Sequence, residues 1–180
     1  MNDAGVSAPV STLAPELTDD LRAELIDCWV AVTNAGGAVG LLPPTTVAAA
    51  RSLAAPMFAR VASDGPDDLL VTCDDGRLVG WAVLASRGTP LTRHWRTIGR
   101  LQVRPELQGR GLGIALVEAA VRHGREQLGL DALHLTVRDG TGLDRFYERL
   151  GFVQVGRLPG SLRLGPGDYR DELYYVRALT

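Results

Sequence analysis

The chain has 180 residues, of which 46% are apolar, so it can bury one substantial hydrophobic core. Its 19 basic and 21 acidic residues give a formal net charge of −2, which excludes a global positive field that would attract nucleic acid or an anionic membrane. All 19 basic residues are arginine, and the absence of lysine excludes Schiff-base and pyridoxal-phosphate chemistry.

The N-terminal residues differ in character from the rest of the chain. Residues 1–9 are small, polar and proline-containing, so we expect them to be disordered and residues 10–180 to form a single domain. No secretion signal and no run of 18 apolar residues is visible, so we expect a cytoplasmic protein without a membrane partner. Cys28 and Cys73 have no metal-ligating neighbours and are predicted to be reduced core thiols, so no metal is expected.

Hydrophobic spacing and turn residues predict one strand and two helices in the first third of the chain. Val10–Leu13 fits a short strand, and residues 18–34 fit a helix with the N-cap Thr18. A second helix begins after Thr45 or Thr46, and Pro56 is expected to kink or split it.

The remaining two thirds predict a sheet with two further helices. Asp74-Asp75-Gly76 lies between two apolar runs and predicts a hairpin. Further strands are expected at residues 97–104, 132–137, 152–158 and 171–178, helices at 111–128 and 142–150, and loops at 86–96 and 159–170. This order predicts an α/β domain with a mixed, mainly antiparallel sheet, in which one helix crosses between two parallel strands.

A glycine-rich turn joins a predicted strand to a predicted helix. Glycines alternate along Gln108-Gly109-Arg110-Gly111-Leu112-Gly113, so main-chain N–H groups can point into one concavity at a helix N-terminus and bind phosphate. The loop GxxxxGK[ST] is excluded because the chain has no lysine, and the fingerprint GxGxxG fails because Ile114 or Leu116 stands at its last position. The turn alone can also be an ordinary connection between a strand and a helix, without a ligand.

A second pattern favours the phosphate interpretation. The motif Gln/Arg-x-x-Gly-x-Gly follows the strand at Leu101 to Pro105, and the segment FYERLGF follows at Phe146 to Phe152. With these motifs the chain resembles the GNAT superfamily of acyl-CoA-dependent N-acyltransferases from about Leu69 to Leu179. The resemblance implies the GNAT fold, a twisted sheet of six to seven strands with about four helices and a splay between the fourth and fifth strands.

The resemblance also implies acetyl-CoA as cosubstrate, without a metal. The pantetheine arm would pair with the splayed strand like an extra strand, and the diphosphate would lie in the glycine-rich turn. Arg110 either contacts the diphosphate or is a solvated surface residue, and Gly140 replaces the family's frequent asparagine. The implied coenzyme-binding residues are Leu101, Gln102, Val103, Gln108, Gly109, Arg110, Gly111, Leu112, Gly113 and Gly140.

The implied reaction is the attack of a primary amine on the thioester within a ternary complex. Tyr147 matches the family's general-acid tyrosine, although it can also merely pack on the coenzyme or in the core. A main-chain N–H near Val103 is the candidate donor to the oxyanion. Many relatives have a glutamate on the splayed strand, but residues 99–103 contain no carboxylate, so the general base stays open. The alternatives are a water-mediated base, a substrate amine of low pKa, Asp139, Asp168, Glu172 and His134, the last of which fits a structural sheet histidine better.

The acceptor is the least specified part of the interpretation. The segments GGAVG at residues 36–40 and GRLPG at 156–160 resemble a GNAT subgroup that includes the tabtoxin-resistance acetyltransferase, although the same glycines also fit ordinary turns. We therefore expect a small-molecule amine, metabolite or antibiotic-like, lined by Gly37, Trp95 and Tyr169. The alternatives are a protein α-amine or lysine acetyltransferase and a non-catalytic acyl-CoA sensor. A homodimer is left open.

Overall fold

The structure is a computed structural model that describes residues 9–14, 16–62 and 64–180. Most of the segment predicted to be disordered, residues 1–8, lies outside the described residues. The described strands are β1 (Val10–Leu13), β2 (Asp68–Asp74), β3 (Arg77–Ala85), β4 (Trp95–Val103), β5 (Ala132–Arg138), β6 (Val153–Gly165) and β7 (Asp168–Ala178). The described helices are α1 (Asp19–Asn34), α2 (Val47–Arg60), α3 (Leu112–Glu126) and α4 (Leu143–Arg149).

One sheet in the order β1-β2-β3-β4-β5-β7-β6 contains all of these strands. The pair β4 and β5 is parallel, and every other neighbouring pair is antiparallel. The parallel pair is connected through α3, as a parallel crossover requires. The sheet is therefore the mixed, mainly antiparallel one that the sequence predicts.

Each face of the sheet carries its own hydrophobic core. On one face, α1 and α2 cover a core that contains Trp29 and Trp81, whose rings meet edge to face with centroids 5.9 Å apart. On the other face, Leu116 and Val117 of α3 pack with Tyr147 of α4. The Thr18 hydroxyl accepts the Leu21 N–H at 3.2 Å and caps α1 as predicted.

The sequence prediction was wrong for residues 159–170, which were expected to form a loop. The strands β6 and β7 instead extend through this segment as one long hairpin. Because β6 lies at the edge of the sheet, its Pro159 interrupts no ladder with a further strand. Three register shifts along the pair absorb the irregular residues of the segment.

Two details of the helices complete the description of the fold. The helix α2 runs through Pro56 as one element and is not split there. The side chain of His123 in α3 is only 13% exposed, and its Nε2 lies 3.3 Å from Asp68 Oδ1. In the described part of the chain, no helix is long and apolar enough to cross a membrane.

Candidate functional site

The strands β4 and β5 pair over only a short stretch. They are in register at Trp95 with Ala132, Arg96 with Leu133 and Thr97 with His134, and they are not paired beyond Thr97. The two strands then diverge toward their carboxyl ends and leave a wedge between Ile98–Val103 of β4 and Leu135–Arg138 of β5, here called the β4–β5 gap. The predicted splay between the fourth and fifth strands is confirmed.

A bulge in β4 accompanies the start of the gap. Trp81 of β3 pairs with Gln102 and Val83 pairs with Gly99, so β4 contains one residue more than β3 between these two pairs. Within the bulge, Arg100 adopts a φ of 56°, a left-handed conformation that side chains seldom adopt. The bulge therefore bends β4 where it leaves β5.

Beyond the bulge, the main chain of Val103 faces the gap. The Arg104 N–H donates to Val79 O at 2.8 Å, so Arg104 is directed toward β3. Because consecutive residues of a strand direct their N–H and C=O groups to opposite sides, Gln102 also faces β3 and Val103 faces the gap. The carbonyl of Val103 accepts the Gln108 side-chain amide at 3.0 Å, and its N–H points into the gap.

The predicted coenzyme residues Leu101 and Gln102 differ from Val103 in their surroundings. Gln102 is 3% exposed, and its side-chain amide has no hydrogen-bond partner among the described residues. Leu101 lies in the bulge and packs partly against the core under α3. The roles of these two residues toward a coenzyme stay predictions.

The glycine-rich turn opens directly into the N-terminus of α3. Gly109 and Gly111 have φ values of 77° and 81°, and Gly111 is the N-cap residue, which brings no side chain to the helix end. The first helical hydrogen bond of the main chain runs from Ala115 N–H to Gly111 O, which leaves the N–H groups of the first turn for an external acceptor. Arg110 is exposed beside them. Amide donors and the helix dipole thus favour an anion at this turn.

The first two residues of α3, Leu112 and Gly113, face the interior of the protein. The side chain of Leu112 is buried in the core, and the Cα of Gly113 faces Phe146 of α4. A Cβ built on Gly113 would lie 3.5 Å from the Phe146 ring, which is an ordinary contact. The fold itself therefore leaves room for alanine at this position.

Tyr147 lies on α4 and belongs to the same hydrophobic core as Leu112 of α3. Its ring meets those of Phe146 and Phe152 edge to face, with centroids 4.9 and 5.7 Å apart, and the residue is 7% exposed. Burial raises the pKa of the Tyr147 phenol to about 12, so the group stays protonated at neutral pH. Gly140 precedes α4 with a φ of 80°, and its N–H donates to Asp139 Oδ1 at 2.9 Å.

The three residues predicted to line the acceptor cleft are not brought together. Gly37 is required by packing, because a Cβ there would lie 2.5 Å from Val32 Cγ1. Trp95 stands at the paired end of β4 opposite Ala132, whereas Tyr169 lies beyond the position where Glu172 pairs with Arg138 at the other end of β5. At about 3.3 Å per residue along a strand, Trp95 and Tyr169 are separated by roughly 20 Å or more.

The candidate general bases named from the sequence lie on β5, directly after it, or on β7. His134 stacks on Trp95 with centroids 3.8 Å apart, and burial, followed by the charges of Arg87 and His94, lowers its pKa, so the ring is neutral at pH 7. Glu172 accepts the Tyr174 hydroxyl at 3.0 Å.

The other two carboxylates named from the sequence are ion-paired. Asp139 lies 2.9 Å from Arg157 Nη1, and Asp168 pairs with Arg170. Of the four residues, His134 stands at the last paired position before the gap opens, and it combines this place with an unprotonated ring.

Sequence reasoning missed the contribution of Arg100 to this site. Its guanidinium lies 4.8 Å from the centre of the Trp29 ring and donates to Val39 O at 3.0 Å, which links β4 to the loop after α1. From the sequence, position 100 was noted only because residues 99–103 contain no carboxylate. Its left-handed conformation and its contact with Val39 depend on a bulge that the sequence does not reveal.

Two features stand together in this fold: the sheet is splayed at β4 and β5, its one described parallel pair, and the N-terminus of α3 has no side-chain cap. This combination is typical of the acyl-CoA-dependent acyltransferases that the motifs resemble. The chain belongs to the acetyltransferase (GNAT) family, whose model matches residues 41–152. A mycothiol acetyltransferase from Propionibacterium freudenreichii is 35% identical over 119 residues, which cover 62% of this chain and 36% of that protein. The chain therefore spans little more than a third of the length of that relative.

Solved structures share the fold over nearly the whole chain. A protein assigned provisionally as a phosphinothricin N-acetyltransferase aligns with a TM-score of 0.81 at 18% identity, covering 96% of this chain and 99% of that one. A Salmonella typhimurium protein solved with acetyl-CoA gives 0.73 at 16% identity, covering 97% and 95%. A ribosomal-protein-alanine N-acetyltransferase from Brucella melitensis gives 0.74 at 19% identity, covering 94% and 99%. The predicted GNAT fold is confirmed.

Proposed function

We propose that this protein transfers the acetyl group of acetyl-CoA to a primary amine of a small molecule. The observation that carries the proposal is the β4–β5 gap, in which the main chain of Val103 faces an open side beside the uncapped N-terminus of α3. An extended pantetheine arm can pair with this main chain while the diphosphate takes the N–H groups of the turn. Both halves of the coenzyme then have donors of the right kind.

The proposed reaction needs three groups around the thioester. The nitrogen of a neutral amine attacks the carbonyl carbon, a C–N bond forms, and the carbonyl oxygen gains negative charge that the Val103 N–H can stabilise. The C–S bond then breaks, and the thiolate receives the proton of the Tyr147 hydroxyl. The proton that the nitrogen loses passes to water, because His134 is level with Thr97, roughly 20 Å along β4 from Val103.

One side of the β4–β5 gap is bordered by the loop that follows α1, and this side is here called the acceptor side. Its structure favours a small amine over a protein as acceptor. The loop of residues 36–40, here called loop 36–40, accepts hydrogen bonds from both splayed strands, through Val39 O from Arg100 and through Gly36 O from Arg138. A segment that bridges the two strands narrows the approach to the thioester. The resemblance of this glycine-rich loop to the tabtoxin-resistance subgroup supports the same acceptor class.

The proposal is tested by following thiol release from acetyl-CoA in the presence of a panel of primary amines, with peptides bearing a free α-amine as the competing class. We expect release that depends on a small amine and exceeds the rate without an amine. Binding of acetyl-CoA without release for any amine would favour the non-catalytic sensor. Release that depends only on the peptides would favour a protein acetyltransferase.

A further inference from the structure

Loop 36–40 is organised around the side chain of Arg100. The carbonyl oxygen of Val39 accepts both the Trp29 indole N–H at 2.9 Å and Arg100 Nη1 at 3.0 Å. Gly40 has a φ of 87°, and a Cβ on this residue would lie 1.6 Å from Arg100 Nη1. A glycine at this position therefore leaves the space that the guanidinium fills.

The Arg100 side chain is held at the gap by two unusual features. It departs from β4 at the bulge with a left-handed φ of 56°, and its guanidinium lies over the buried Trp29 ring. The residue is nevertheless exposed overall. Among the described residues, Val39 O is the one acceptor that its five N–H donors meet.

Arg100 differs from the six arginines that pair with a carboxylate among the described residues, Arg22, Arg60, Arg104, Arg157, Arg170 and Arg177. None of the ion pairs formed by the described residues includes Arg100. Burial lowers the pKa of its guanidinium, whereas a hydrogen bond to Asp67 raises the pKa of Arg60 and one to Asp171 raises that of Arg157. Arg100 is thus a partly desolvated cation with free donors and without a carboxylate partner among the described residues.

A second arginine lies on the opposite strand. Arg138 ends β5, and its Nη2 lies 3.5 Å from Gly36 O of loop 36–40. Glu172 pairs with Arg138 across the β5 and β7 ladder but accepts the Tyr174 hydroxyl. Arg138, like Arg100, takes part in none of the ion pairs formed by the described residues, so two arginines without a carboxylate partner border loop 36–40.

We propose that the acceptor amine also carries an anionic group, a carboxylate or a phosphorus oxyanion, and that Arg100 binds this group on the acceptor side of the β4–β5 gap. The inference rests on the proposed acetyltransferase function and specifies its substrate class. A guanidinium presents two parallel N–H donors that match two oxygens of such a group. Binding there would hold the amine of the same molecule beside the thioester.

The test compares acceptors that differ only in the anionic group. L-amino acids, their carboxamides and the corresponding 1-aminoalkylphosphonates are supplied with acetyl-CoA, and kcat and KM are measured from thiol release. We expect kcat/KM to be at least about tenfold higher for an anionic acceptor than for its carboxamide. The amine of a carboxamide is less basic and is more often unprotonated at neutral pH, so this preference cannot come from amine reactivity. The carboxylate and phosphonate arms show which oxyanion is preferred.

Variants of Arg100 then link the preference to the guanidinium. For Arg100→Gln we expect KM for the anionic acceptor to rise about 10–100-fold, with a change of less than about threefold for the carboxamide. Arg100→Lys retains the charge without the paired donors and should give an intermediate KM. Arg125→Gln, on the exposed side of α3, is the matched control and should behave like the parent protein.

Two results would overturn the inference. One is a parent enzyme that acetylates the carboxamides, or amines without an anionic group, as efficiently as the anionic acceptors. The other is an equal loss for both acceptor types in folded Arg100→Gln, as checked by its melting temperature. The parent protein's preference decides the question even where the variant does not fold. Failure of the proposed function is a separate result, because it would appear as no thiol release with any amine.

Discussion

The chemistry at the level of single residues centres on Tyr147. The phenol is enclosed by Phe146 and Phe152, and burial raises its pKa to about 12. A tyrosine in this state cannot act as a base near neutrality, since it is almost wholly protonated. It can donate its proton or a hydrogen bond to a departing thiolate, which is the role that the family resemblance implies.

We expect Tyr147→Phe to lower kcat by about 10–10³-fold, because an acid–base group contributes about 10²–10⁴-fold in the usual case. The dissociation constant for acetyl-CoA should change little, because the substitution keeps the ring and its packing. Steady-state thiol release gives kcat, and calorimetric titration gives the dissociation constant. Equal turnover by the variant and the parent protein would reject the assignment.

The pH dependence of the same variant provides an independent check. Because the tyrosine is protonated at every pH below its raised pKa of about 12, the ratio of parent to variant kcat should be constant between about pH 6 and 9. A ratio that falls with increasing pH in this range would show that the phenol ionises there and would contradict its buried environment.

At the level of the elements, the most specific prediction concerns the glycine-rich turn and the first turn of α3. Gly111 has a positive φ, so any side chain at this position strains the turn, whether or not a ligand is present. Gly113 lies within the helix, and a Cβ added there would make only an ordinary van der Waals contact with Phe146. Substitutions at the two glycines therefore distinguish a requirement of the fold, at Gly111, from a requirement of a bound ligand, at Gly113.

We expect Gly113→Ala to weaken acetyl-CoA binding by about tenfold or more if the diphosphate lies against its Cα, while leaving the melting temperature unchanged or raised. Alanine in a helix is favoured over glycine by about 0.5–1 kcal/mol. Gly111→Val, by contrast, should lower both coenzyme affinity and melting temperature. Calorimetric titration and thermal unfolding measure the two properties, and parental affinity in Gly113→Ala would place the diphosphate elsewhere.

The elements also show what the sequence can and cannot predict. The Asp75-Gly76 turn and the capped start of α1 at Thr18 depend on neighbouring residues, and both formed where they were expected. The long hairpin of β6 and β7 did not, because glycine and proline at residues 159–167 read as a loop unless the edge position of β6 is known. Edge strands tolerate such residues, but the position of a strand within a sheet is not a local property.

The same distinction separates the two halves of the candidate site. The coenzyme half lies on one continuous stretch from Leu101 to Gly113, so its order of strand, turn and helix could be predicted from spacing. The proposed acceptor half combines α1, loop 36–40, β4 and β5, which are distant in the sequence. Arg100 was therefore missed, and Trp95 and Tyr169 were assigned to one cleft although they lie at opposite ends of the sheet.

At the scale of the whole molecule, a bound coenzyme would connect parts that the chain alone leaves weakly joined. The β4–β5 gap divides the sheet into a half containing β1 to β4 and a half containing β5 to β7, joined by three paired positions and by α3. Acetyl-CoA in the gap would pair with β4, bind the start of α3 and lie beside α4. Ligand binding to the folded state alone should therefore stabilise both halves together.

We expect acetyl-CoA at about 100 times its dissociation constant to stabilise the folded protein by about 2.7 kcal/mol, which corresponds to an increase in melting temperature of about 5–11 °C for a domain of this size. Thermal unfolding with increasing acetyl-CoA measures the shift. Tyr147→Phe should show the full shift because it retains coenzyme binding, and Gly111→Val should show a smaller one at the same ligand concentration. The absence of a shift in the parent protein at millimolar acetyl-CoA would contradict coenzyme binding in the gap, and with it the proposed function.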